Sequence, residues 1–303
     1  MQPVESDYAP PREVALRRVL GVLAQGGTDP TVQRDGEIWW LTLRFPHGTA
    51  SLALRPAGAA IRATAWGTAA EAAMDLVPGL LGADDDDEGF DHARHPLVAE
   101  LHRRAPGLRL ARTTQVLAAL IPAILFQKVT AKEAKASWRR LLQWHGEPAP
   151  GPAPIGMRVA PDPATWRRIP SWDWHRAGVG PQRSDTIMRA VHAAGGLERT
   201  AGVAGPEARR RMRTIPGIGE WTAAETAQRS HGDPDAVSFG DFHTCKRVGW
   251  ALTGARVDDD GMRELLEPWA GHRQRVIRLI EASGAGDYER HGPRMTIADY
   301  RAF

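Results

Sequence analysis

The chain has one cysteine in 303 residues, Cys245. That excludes an internal disulfide framework, a multi-cysteine zinc site and a four-cysteine iron–sulfur cluster. Nowhere do about 18 apolar residues run together, so no segment reads as a membrane span. The opening "MQPVESDYAPPREV" carries no apolar signal core, and the expectation is a cytoplasmic protein. Strong net charge is also missing: the chain is +3 overall, with the 42% hydrophobic and 25% charged content of an ordinary globular protein. The charge is unevenly spread. Residues 1–93 hold seven Lys+Arg against fourteen Asp+Glu, whereas residues 94–140 hold ten against two. One acidic and one basic segment suggests that only part of the chain faces a polyanion. The acidic run "GADDDDEGFD" also reads as a plain solvated loop.

What is present reads as an α+β fold. Over residues 1–92, "PPREVALRRVLGVLAQGG" places Val14, Leu16, Val19, Leu20 and Leu23 on a helical stripe. The runs "GEIWWLTLRFP", "GTASLALRP" and "AAIRATAW" then predict an antiparallel meander, and "GTAAEAAMDLVPGLLG" predicts a return to helix. Trp39 and Trp40 read as core or sheet-face residues in preference to a base-stacking platform. Residues 93–303 are almost wholly helical in pattern, with helices expected near 95–105, 114–127, 130–145, 162–169, 182–195, 206–213, 220–231, 241–252, 258–268 and 271–284. The Pro/Gly run "GEPAPGPAPIGMRVAPDP" interrupts them. The tail "RHGPRMTIADYRAF" is expected to be irregular.

The stretch "TIPGIGEWTA", Thr214–Ala223, lies between the expected helices 206–213 and 220–231. It lacks the Lys-Ser/Thr of a P-loop. As a helix–hairpin–helix it would aim backbone N–H groups outward at the positive end of the second helix, a ready phosphate site. An ordinary turn between two helices is the competing reading. Asp241 follows Gly240 at the start of the expected helix 241–252, where it reads either as a helix N-cap or as a carboxylate held ionised for chemistry. Arg209, Arg210, Arg211 and Arg213 either bind phosphate or solvate a helix face; spacing puts Arg209 and Arg213 on one side. His243 and Cys245, two apart on a helix, face different ways and do not make a metal pair.

On these residues the chain resembles the helix–hairpin–helix (HhH-GPD) DNA glycosylase superfamily, most closely 3-methyladenine DNA glycosylase II, the AlkA type. "IPGIGEWTAAETA" is similar to that family's hairpin and "DAVSFGDFHTCKRV" to its catalytic loop, with Asp241 at the position of the family's aspartate. "APGLRLARTTQVLAALIPAILFQKVTAKEAKASWRRLLQWHG" resembles its first core helices. The resemblance covers most of the chain and is strongest over 105–250. It implies an N-terminal α+β domain at 1–92 and a two-subdomain helical core at 93–303, with the hairpin at 206–231 and the catalytic loop at 237–247.

The function implied is base excision repair: release of a flipped, alkylated base from double-stranded DNA by a monomer acting in the cytoplasm at the nucleoid. Asp241 would stabilise the oxocarbenium-like sugar and orient water. Bifunctional relatives place a Schiff-base lysine where this sequence has Trp221, so no lyase activity is expected. The base pocket would hold Trp221, Phe242, Glu225, Gln127 and Glu281. Contacts to DNA would come from Pro216, Gly217, Ile218, Gly219, Thr222, Lys128, Arg213 and Arg247. No cofactor is required by the resemblance, although main-chain oxygens of Arg213, Ile215 and Ile218 would hold Na+ or K+ with DNA bound. Three positions depart from the family pattern. Glu225 stands where an aromatic is expected, Lys128 where an apolar wedge is, and Glu281 roughly where a tryptophan is. A pocket so altered leaves a second reading open, a non-catalytic helix–hairpin–helix protein that recognises distorted duplex.

Overall fold

A computed structural model describes residues 2–288; the expected irregular tail at 290–303 lies outside the described residues. Five strands form one antiparallel sheet: β1 (Val4–Tyr8), β2 (Val32–Asp35), β3 (Ile38–Phe45), β4 (Gly48–Ala57) and β5 (Ala60–Trp66), in the order β1-β5-β4-β3-β2. The meander expected from the sequence is its centre. Side chains alternate across a strand, so Leu41, Leu43, Leu52, Leu54, Ala63 and Ala65 share one buried face. They pack against α1 (Leu16–Leu20), α2 (Ala70–Asp75) and α3 (Val77–Leu80). Strands β1 and β2 were not expected from the sequence. They are edge strands with mostly exposed polar residues, so neither shows the apolar alternation that marks a half-buried strand. The helix expected across Val14–Leu23 shortens to α1, with Gly21 at its C-cap.

Trp40 and Ala53 point to the opposite face, where Trp40 stacks on Trp66 at 5.3 Å between ring centroids. Neither Trp39 nor Trp40 is available to a base: they are 7% and 6% exposed.

The remaining chain is helical: α4 (Pro96–Arg104), α5 (Val116–Leu125), α6 (Ala131–His145), α7 (Pro163–Arg168), α8 (Ser171–Ala177), α9 (Pro181–His192), α10 (Ala194–Glu198), α11 (Gly205–Met212), α12 (Glu220–Ser230), α13 (Thr244–Thr253), α14 (Asp259–Leu266) and α15 (Arg273–Ser283). The Pro/Gly run after α6 folds back over the sheet's second face as a two-residue pair, β6 (Glu147–Pro148) with β7 (Arg158–Val159). Met157 completes the cluster there. The short helices α8 and α10 were not expected, being too brief for a full amphipathic period.

Two hydrophobic cores divide the helices. Helices α5 to α12 enclose Leu120, Ile121, Ile124, Trp138 and Trp166, while α4 joins α13, α14 and α15 around Val98, Val248, Met262 and Val276. The chain therefore crosses from one helical core to the other twice. The second crossing carries Asp241. Helix α5 has no side-chain cap of its own; Glu198 at the end of α10 accepts from the amides of Val116 (3.0 Å) and Leu117 (2.9 Å) instead.

The run at residues 84–88 is not merely a solvated acidic loop. Asp84 pairs with Arg112 at 3.0 Å, Asp87 with Arg12 at 2.7 Å, and Asp85 with Arg275 of α15 at 2.7 Å. The last pair is almost fully buried, its side chains 0% and 4% exposed. Asp85 also accepts from the amide of Leu110 at 3.1 Å, and Arg275 donates to the Asp86 carbonyl at 2.6 Å. An excess of negative charge in the sequence is thus spent against arginines drawn from distant parts of the chain.

Candidate active site

The hairpin between α11 and α12 is fixed from two sides. Gly217 has φ +96, in the left-handed region that favours glycine. A Cβ there would lie 2.3 Å from Thr186 Oγ1 of α9, so the position requires glycine for space as well. Arg189 of α9 donates to the Pro216 carbonyl at 3.2 Å. Gln127 Nε2, just after α5, donates to the Gly217 carbonyl at 2.9 Å and to Thr222 Oγ1 at 2.8 Å. Ile218 is buried in the core beneath. Gly219, by contrast, faces open space at the N-cap of α12, with no side chain capping the helix. The first amides of α12 are left to an external acceptor.

Of the basic residues nearby, most are already paired. Arg209 lies 3.0 Å from the buried Asp233, and Arg210 and Arg211 both reach Glu207 at 2.6 and 2.7 Å. Arg209 and Arg213 line one surface depression, with Arg210 beside them, although Arg209 is also held by Asp233. Arg213 is exposed and has no ion-pair partner among the described residues. Arg247 lies 3.7 Å from Asp287. Lys128 is exposed in the turn between α5 and α6 with φ +54, an uncommon conformation for a residue with a side chain.

Asp241 sits in the turn before α13 and not at the helix start, because the helix begins only at Thr244. Its Oδ1 accepts from the amides of His243 (2.8 Å) and Thr244 (2.9 Å) and from Thr244 Oγ1 (3.0 Å). Oδ2 accepts from the indole Nε1 of Trp221 at 3.3 Å. Burial alone would push the carboxyl pKa up. The two amides, the hydroxyl and the indole outweigh it and hold the group below the usual carboxylate range. The capping reading and the ionised-carboxylate reading therefore describe the same geometry: one oxygen caps, the other faces Trp221.

Between α5 and α12 lies a cavity of about 50 Å³, room for a few waters. Ala119, Ala123 and Phe126 of the α5 side and Trp221 of α12 give it apolar and aromatic walls. Its polar side is Glu225, Arg229 and, from beyond the sheet domain's first helix, Gln25. Glu225 pairs with Arg229 at 2.9 Å and accepts from the Ser238 hydroxyl. Arg229 also donates to the Val22 carbonyl at 3.2 Å. Two expected pocket residues are elsewhere. Phe242 is 72% exposed, with the Lys246 ammonium 3.3 Å from its ring centroid. Glu281 is exposed on α15 and pairs with Arg278 one turn back at 2.8 Å. Gln127 is engaged by the hairpin and is not among the cavity walls. The sequence reading missed Phe126, Arg229 and Gln25. Arg229 had a signal, its i,i+4 spacing from Glu225, whereas nothing local marks Gln25.

No family model matches the chain. A probable bifunctional transcriptional activator/DNA repair enzyme AlkA of Mycobacterium tuberculosis is 29% identical over 219 residues, 69% of this chain and 43% of that protein. The chain thus spans less than half the length of that relative. Among solved structures, a 3-methyladenine DNA-glycosylase from Archaeoglobus fulgidus superposes with TM-score 0.74 at 15% identity, covering 94% of this chain and 99% of that one. In sequence and in fold the chain is similar to the helix–hairpin–helix DNA glycosylase superfamily. Its likeness is to the AlkA type within it. The fold is shared more widely, as an 8-oxoguanine glycosylase/lyase from Clostridium acetobutylicum aligns with TM-score 0.66 at 13% identity over 93% of this chain and 98% of that one.

Proposed function

We propose that this protein is a monofunctional DNA glycosylase of base excision repair. It hydrolyses the N-glycosidic bond of a damaged base, alkylated bases among them, after the base is extruded from duplex DNA. The observation that supports this reading is the 3.3 Å contact between the Asp241 carboxylate and the indole N–H of Trp221, whose ring is a wall of the cavity. As the base leaves, positive charge builds on the sugar, and the Asp241 carboxylate stabilises it and orients the attacking water. Trp221 has no amine to form a Schiff base, so the strand is left intact. At about 50 Å³ the slot must widen to admit a base, whose faces would then stack on its aromatic walls.

Outside the slot, the open amides at Gly219 and the first turn of α12 receive a backbone phosphate, with Arg213 and Lys128 adding positive charge. The Ile215 carbonyl already accepts from the Ile218 amide at 3.0 Å and keeps a second lone pair. Together with the Arg213 and Ile218 carbonyls it would hold a Na+ or K+ ion, whose role would be to brace the hairpin against phosphate. The protein acts as a monomer on DNA.

The test is base release from methylated duplex DNA under single-turnover conditions. Asp241→Asn is expected to lower release by about 100-fold or more while keeping duplex affinity. If neither protein releases a base and both bind duplex, the chain is a DNA-binding relative without catalysis. A borohydride-trapped protein–DNA adduct would contradict the monofunctional assignment.

A further inference from the structure

Resting on the glycosylase reading, we infer that the slot selects its base by a lactam edge, an N–H donor beside a carbonyl acceptor. Hypoxanthine and uracil are neutral and carry such an edge; ethenoadenine and N3-methylated adenine do not. An aromatic cage that binds cationic bases by their faces needs no such polar pair. This slot has one. Glu225 and Arg229 lie 2.9 Å apart, each side chain about a fifth exposed, and follow Trp221 at four-residue steps along α12, all three lining the cavity together with Phe126.

The pair is net neutral, so a cationic base gains no overall attraction and meets the guanidinium's repulsion. A neutral base with donor beside acceptor matches it group for group. Glu225 uses one oxygen on Ser238 and the other on Arg229, leaving two of its roughly four acceptor positions. Arg229 spends Nε on the Val22 carbonyl and Nη1 on Glu225; among the described residues no oxygen accepts from its Nη2. The ring N–H of a lactam donates to the Glu225 carboxylate, and its C=O accepts from Arg229 Nη2. Gln25, whose side-chain amide has no hydrogen bond among the described residues, offers a further donor and acceptor from across the domain boundary. A base lacking the N–H would leave the carboxylate facing a lone pair, and sites built on buried hydrogen bonds reject such analogues strongly.

The experiment compares duplex oligonucleotides that differ only in one base, hypoxanthine or ethenoadenine. Single-turnover release is measured for the wild type, Glu225→Gln and Gln25→Leu, with affinity for undamaged duplex and thermal denaturation as fold controls. The wild type is expected to favour hypoxanthine by about tenfold or more. Glu225→Gln is expected to lower that ratio by at least about tenfold, and Gln25→Leu to lower it in the same direction. If Glu225 only braces α12 against Ser238, both substrates fall together and the ratio stands, which overturns the inference. A wild-type preference for ethenoadenine does the same. Affinity for 2′-fluoro-sugar duplexes carrying the same two bases reads the edge without bond cleavage. If no base is released but hypoxanthine duplex binds tighter in a Glu225-dependent way, the catalytic reading fails and the edge reading holds. Equal affinity for both overturns it.

Discussion

Asp241 shows how much one residue's setting can decide. Its folded pKa lies below the unfolded value of about 3.9. The stability it contributes is therefore complete above that value and is lost as pH falls through the lower folded one. The same sign governs activity: the acid limb of single-turnover release should lie below about pH 4. Trp221→Phe keeps an aromatic wall but deletes the indole N–H, so the limb should move to higher pH; a pH–rate profile of the two proteins checks it. Lys128 gives a second test at this scale. At φ +54, replacing it by glycine removes about 1 kcal/mol of backbone strain. Lys128→Gly should melt no lower than the wild type in thermal denaturation, yet bind duplex with an abasic-site analogue several-fold more weakly. Unchanged affinity would remove Lys128 from the interface.

Among elements, the hairpin is the most constrained. Gly217→Ala places a methyl against Thr186 and forces a disfavoured φ, at a cost of about 1–3 kcal/mol. Because the displaced loop carries the amides proposed to hold a phosphate, DNA affinity should drop alike for damaged and undamaged duplex, measurable by titration of both. Glu198→Ala uncaps α5 and should cost about 1–2 kcal/mol by denaturant unfolding, with no effect on binding beyond stability. Most of these elements were legible in the sequence. The hairpin announced itself through its glycines, and α5, α6, α9 and α12 through apolar periodicity and caps such as Thr130 with Glu133. What stayed hidden has physical causes. β1 is polar and exists by pairing with β5 from 53 or more residues away. Phe242 sits beside Asp241 in sequence, but the turn before α13 swings it to solvent. Cavity walls such as Gln25 and Phe126 are set by packing between distant segments, which local pattern does not encode.

At the scale of the whole molecule, the buried Asp85–Arg275 pair joins the segment after α3 to α15. Breaking a buried pair leaves an uncompensated charge and costs about 3–5 kcal/mol. Arg275→Ala should lower Tm by roughly 10 °C in calorimetry. It should also split a single transition into two if this clamp is what makes the domains melt together. Charge counting registered the acidic run but could not see its partners, since Arg12, Arg112 and Arg275 lie far apart in the chain.

Arg229 reaches back to the Val22 carbonyl, and Gln25 stands in the slot's wall. The sheet domain is therefore not an interchangeable attachment. If the slot takes the base as proposed, exchanging the sheet and its helices for the matching piece of a relative changes the lesion preference, because Gln25 and the Val22 carbonyl go with it.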